Sequence, residues 1–153
     1  MKRLGTFTSA AAALLVLAAC GPGIHHGPVS PPDAPQVPLT GREWTGTTLY
    51  DGDLRSPLPD APPGRVRLTF TADGQVEGTT GCNTVHGPAT VSLPGRSITF
   101  GPLASTRVLC DEPRMRIERR VLAALHGKVG YDIARRTLTL SRANRPLLDA
   151  TTP

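Results

Sequence analysis

Val66, Leu68 and Phe70 alternate with Arg65, Arg67, Thr69 and Thr71. An apolar residue at every second position marks a strand with one face in a core and the other in water. Asp73-Gly74 follows at once and predicts a two-residue hairpin turn, after which the chain returns through residues 75–80. A second hairpin is expected around Pro94-Gly95, joining residues 89–93 to 97–100. Val129, Tyr131 and Ile133 alternate again. Arg135-Arg136 then turns the chain into 137–141, where Leu138 and Leu140 point inward. Residues 44–50 read as the first strand and 145–150 as a short last one. The stretch 51–64 holds four prolines and reads as a long surface loop.

One segment has a different period. Ile117, Val121, Ala124 and Leu125 recur at helical spacing and share one face. Asp111 suits the N-cap, Pro113 the first turn and Gly127 the residue after the end. Glu112 and Arg116 form an i,i+4 pair in the favourable order. Arg116, Arg119 and Arg120 lie off the apolar stripe and read as a solvated face.

Antiparallel hairpins with a single amphipathic helix give an α+β domain. One helix covers only part of a sheet of about eight strands. The sheet therefore has to curve strongly over its own core, as a half-barrel or barrel, with the helix packed against it.

The N-terminal quarter is different in kind. Lys2 and Arg3 precede an unbroken apolar run, 10–19, too short for a bilayer span of about 20 residues. This is the layout of a secretory signal. It closes on Leu17-Ala18-Ala19-Cys20, which resembles a bacterial lipobox and implies cleavage before Cys20 and a lipid on its thiol. Residues 1–19 are thus expected to be a signal peptide and 20–40 a lipidated cysteine with a tether. Six prolines fall in 21–40, where few large apolar groups offset the ordering entropy. The globular domain is expected over 41–150. Loss of Lys2 and Arg3 lowers the formal net charge from +5 to +3. A balance so mild on an exported chain gives no nucleic-acid signature.

The three cysteines divide accordingly. With Cys20 as anchor, Cys82 and Cys110 are left in an oxidising compartment and read as a disulfide. Two other readings use the same atoms. Cys82, His86, Cys110 and His126 form a conceivable Cys₂His₂ metal set, although the spacing is unlike paired short metal loops. Cys82 with His86 is a conceivable nucleophile pair, although it lacks a third orienting group. His25-His26, in the tether, lacks the further fixed ligands a metal needs. Asn83 is expected to take a turn conformation or to hydrogen-bond backbone beside the bridge. Gly78 and Gly81 fit a bulge or close backbone approach, and Trp44 fits a core position. No catalytic residue, metal or cofactor is expected.

The order of these signals resembles a known family. Trp44, the Asp73-Gly74 turn, Gly78, Gly81-Cys82-Asn83, Gly87, Ile98-Thr99-Phe100, Thr106 to Cys110, a helix with Glu118 and Leu125, Tyr131-Asp132-Ile133 and Leu138-Thr139-Leu140 occur as in the META domain. That family includes the heat-shock lipoprotein HslJ. Ala89 and Val121 stand where relatives often carry an aromatic. The resemblance implies a curved antiparallel sheet with one helix, often on an envelope lipoprotein, and broad links to stress, tolerance of inhibitory compounds and secretion. It supplies no catalytic residues. The expectation is a non-enzymatic binding or structural protein, held to the membrane by lipid on Cys20 and taking an envelope protein or an apolar ligand as partner.

Overall fold

A computed structural model describes residues 37–153. Lys2, Arg3, Cys20, His25 and His26, and with them the signal reading and the tether reading as far as residue 36, lie outside the described residues. The described chain runs β1 (Glu43–Asp51), β2 (Leu54–Pro57), β3 (Val66–Phe70), β4 (Gln75–Thr80), β5 (Thr84–Ser92), β6 (Ser97–Phe100), β7 (Ala104–Ser105), α1 (Glu112–Ala124), β8 (Gly127–Ala134), β9 (Thr137–Arg142) and β10 (Arg145–Thr151).

Eight of these strands close an antiparallel barrel in the order β1-β3-β4-β5-β6-β8-β9-β10. The closing seam is β10 on β1, with Leu49 opposite Leu148 and Gly46 opposite Ala150. A register shift between Gly46 and Thr48 turns Leu49 back to the inside. The expected α+β class, curved sheet and single helix are all present, with closure complete rather than partial. Closure leaves no free edge along the barrel except the second half of β1, which runs past β3. Trp44, Phe70, Leu68, Ile98, Leu138, Leu140 and Leu148 fill the interior, with Phe70 and Phe100 tilted at 6.3 Å between centroids. The lone tryptophan is wholly buried, and its indole N–H donates to the Leu39 carbonyl at 2.8 Å. Packing against the barrel therefore includes residues ahead of β1, Val37 and Leu39 among them.

Two extra strands correct the sequence reading. The stretch 51–64 is not all loop: β2 forms a hairpin with the second half of β1, pairing Tyr50 with Arg55. Neither face of β2 is apolar, so alternation gave no sign of it; backbone pairing to an already fixed neighbour holds it. β7 is a short ladder on β5, Ser105 opposite Val85. The Asp73-Gly74 turn has three residues rather than two. Thr71 and Gln75 close it, with the Gly74 N–H donating to the Thr71 carbonyl and Gly74 at φ 80°. The type I turn followed by a left-handed residue admits Ala72 as well.

The helix is capped as expected, Asp111 Oδ1 accepting from the Arg114 N–H at 3.0 Å. Its face of Val121, Ala124 and Leu125 packs into the core. It ends earlier than Gly127, which opens β8 instead. Arg120 is not on a free surface: it is half-buried and donates to Ser56 of β2. Among the described residues no helix is long and apolar enough to cross a membrane.

Candidate functional site

The motif residues converge where α1 meets the β4–β5 turn. Thr80 ends β4 and Thr84 opens β5, and the Thr80 N–H closes the turn on the Asn83 carbonyl at 2.8 Å. Gly81 stands at φ 98°, and a Cβ there would meet Ile117 Cγ2 at 2.9 Å and the Gly64 carbonyl at 3.2 Å. Only glycine lets this turn pass beneath the helix. Gly78, three residues earlier in β4, also serves a close approach, since a Cβ would fall 1.9 Å from the Arg67 carbonyl.

Asn83 is the hub. It is 3% exposed. Its Oδ1 accepts from Thr106 Oγ1 and from the Val108 N–H, both at 2.7 Å. Its Nδ2 donates to the Val108 carbonyl at 3.2 Å and to Glu118 Oε2 at 2.9 Å. Both backbone groups of Val108 are thus tied to one side chain. Glu118 lies on α1, is 6% exposed, and also accepts from Ser105 Oγ at 3.4 Å. A carboxylate so deep needs such donors. The backbone role expected of Asn83 is present, but the partnership with Glu118 was missed. Its signal was available: Glu118 is three residues before Val121, on the apolar stripe rather than off it.

Cys82 and Cys110 are joined by a disulfide, their Cα atoms 6.0 Å apart. With both sulfurs bonded, neither offers a thiolate for attack or for a metal. His86 stands on the exposed face of β5, and His126 is exposed after the helix. Among the described residues no group of three His, Cys, Asp or Glu side chains is placed to hold a metal ion. Thr106 stands across from Thr84, its N–H donating to the Thr84 carbonyl at 3.1 Å. Gly81, Cys82, Asn83, Thr106 and Cys110 are therefore brought together. Together with Glu118 they join the barrel to the helix and fix the loop 106–110.

Two surface hollows are of a size to interest a ligand, the first bordering this junction at Thr84 and the second away from it. One, of about 530 Å³, runs over the outside of β3–β5. Its lining side chains are mostly polar, and Arg67 and Glu43 on its rim pair at 3.6 Å. The other, of about 470 Å³, lies at the barrel end opposite α1, between Val37–Thr40 and Val91, Leu93, Tyr131 and Ile133. It is mainly apolar, and Leu93 on its rim is 73% exposed.

Comparison with known proteins follows the same outline. The family model described as META domain matches residues 37–152. An NMR structure of a protein from Burkholderia xenovorans is similar at a TM-score of 0.62 and 24% identity, covering 83% of this chain and 97% of that one. A second NMR structure is similar at 0.53 and 19%, covering 74% and 91%. These two likenesses bear on the fold alone. None of the curated proteins matches the chain.

Proposed function

The chain belongs to the META domain family, and on that premise we propose that it is a non-enzymatic binding protein of the bacterial envelope, anchored by lipid on Cys20. The observation that carries the binding role is the apolar groove of Val37, Leu39, Val91, Leu93, Tyr131 and Ile133. The barrel interior is filled by its own side chains, so a ligand has to sit at this rim rather than inside. An acyl chain or an apolar segment of an envelope protein suits the lining. The anchor reading is supported by the apolar run that stops at Cys20, and export by the Cys82–Cys110 bridge. An HslJ-like part in stress or in tolerance of small inhibitory compounds rests on the family resemblance.

The test has two arms on the full chain. In the cell, Cys20→Ser should abolish labelling by a fatty-acid analogue and release the protein from the membrane fraction. In detergent, a fluorescent acyl probe should bind the parent and lose at least about tenfold in affinity with Leu93→Glu, a change of about 1.4 kcal/mol. Membrane retention without Cys20, or probe binding indifferent to Leu93, overturns the respective arm.

A further inference from the structure

The loop between β7 and α1 is built unlike an ordinary connection. Thr106 to Cys110 form no regular element, yet the backbone is gripped at every second position. Upstream, β7 is paired to β5 and the Thr106 N–H is bonded to the Thr84 carbonyl. At the centre, Asn83 holds Thr106 Oγ1 and both the N–H and the carbonyl of Val108. Downstream, Cys110 is bonded to Cys82. No residue from Pro102 to Asp111 takes a positive φ. What this frame presents is a chemically defined tip. Leu109 is 91% exposed and Val108 60%. Arg107 is exposed and makes no ion pair among the described residues.

A scattered surface leucine needs no explanation. A free arginine followed by two exposed apolar residues, on a backbone already held rigid, is another matter. Rigidity of this kind removes the ordering cost of docking an exposed segment into a cleft. A membrane-inserting tip needs no brace on the amide groups of one residue. A protein cleft that reads an extended segment does.

We infer that residues 106–109 are an inhibitory loop for a serine protease whose primary specificity pocket carries a carboxylate, with Arg107 in that pocket and Arg107–Val108 as the bond attacked. The protease serine Oγ adds to the Arg107 carbonyl carbon and passes its proton to the protease histidine. The Arg107–Val108 C–N bond breaks, the Val108 nitrogen takes that proton, and an ester joins Arg107 to the serine. In a free peptide the new amine departs and water cleaves the ester. Here Val108 stays tied to Asn83 and, through Leu109 and Cys110, to Cys82. Its amine remains beside the ester, attacks it, returns the proton through the histidine and restores the peptide bond. The Val108 nitrogen is the atom that Asn83 Oδ1 holds at 2.7 Å. This inference is independent of the apolar groove; it requires the closed bridge and the hold of Asn83 on Val108.

The experiment uses the full chain in detergent with trypsin as the probe protease, following hydrolysis of a chromogenic peptide and, by mass spectrometry, scission at Arg107–Val108. The expected result is saturable inhibition with slow scission. Arg107→Ala, a surface change that leaves the fold intact by circular dichroism, should weaken inhibition by at least about 100-fold. Asn83→Ala should turn the loop from inhibitor to substrate. Should Asn83→Ala fail to fold, the Arg107 variant alone decides. Scission at the rate of an unstructured peptide, or no inhibition at about 10 μM chain, overturns the proposal. So does binding to anionic vesicles that depends on Leu109 while trypsin is unaffected, which would assign the tip to a membrane surface.

Discussion

The Asn83 side-chain amide donates to the Glu118 carboxylate at 2.9 Å, tying the β4–β5 turn to the middle of the helix. Both groups are buried, so neither has water to fall back on. The same amide oxygen fixes the loop 106–110. One side chain therefore couples the turn, the helix and the loop. Asn83→Ala leaves a buried carboxylate short of a donor and two Val108 groups unpaired. We expect a loss of about 3 kcal/mol in urea unfolding of the oxidised protein. Asn83→Asp, which sets a second carboxyl against Glu118, should cost at least as much at neutral pH. Glu118→Gln, which keeps an acceptor for Asn83, should cost less than either.

The bridge adds a constraint of a different kind. Cys82 and Cys110 are 28 apart in sequence. A crosslink closing a loop of that size stabilises by about 3.5 kcal/mol in the chain-entropy picture. The double variant Cys82→Ala, Cys110→Ala should lose about that much, and so should the parent in reductant. If the loss is confined to the 106–110 loop, hydrogen exchange will show fast amides there and protected ones in β3–β5. A uniform loss would mean that the bridge supports the barrel as a whole.

Gly81 tests the close approach directly. A side chain there meets Ile117 and carries the strain of φ 98°. Gly81→Ala should destabilise by about 1–3 kcal/mol. Adding Ile117→Ala removes the clash with Cγ2 and leaves the approach to the Gly64 carbonyl and the backbone strain. The double variant should therefore lose less than the sum of the two single changes, measured as a mutant cycle.

Much of this fold was legible where physical chemistry repeats at short range. The alternation of Val66, Leu68 and Phe70 and the stripe of Val121, Ala124 and Leu125 name buried faces that the structure fills. The need of a one-helix sheet to curl predicts the barrel. What stayed hidden depends on neighbours distant in sequence. β2 has no buried face of its own and exists because β1 offers it an edge. The extra turn residue Ala72 is set by strand twist, not by the Asp73-Gly74 pair. At the junction, the cysteines and Gly81 carry local signals, whereas the role of Asn83 depends on Val108 and Glu118 lying opposite it. A lone glutamate on an apolar stripe is the one clue to such a partner, and it names the helix side only.

The alkaline side of stability should be set by Tyr50. Its hydroxyl donates to Asp149 Oδ2 at 2.6 Å, and Thr139 donates to the other oxygen of the same carboxylate at 2.8 Å. Ionising the phenol would set two negative oxygens together. The hydrogen bond to Asp149 therefore holds the Tyr50 phenol above the ordinary tyrosine range; burial acts in the same sense, and Arg55, 5.7 Å from the ring centroid, opposes it. A proton held more tightly in the folded than in the unfolded state stabilises the protein for as long as the phenol keeps it. The contribution is fully present below about pH 10, the unfolded value, and is lost as pH rises through the higher folded value. The chain has two tyrosines, so Tyr131→Phe leaves Tyr50 as the only phenol. Its absorbance near 295 nm should then rise later than that of free tyrosine. Asp149→Asn should bring the midpoint down and flatten the fall in stability above about pH 10. A titration of Tyr50 unmoved by Asp149→Asn would show that burial, not the carboxylate, holds the proton.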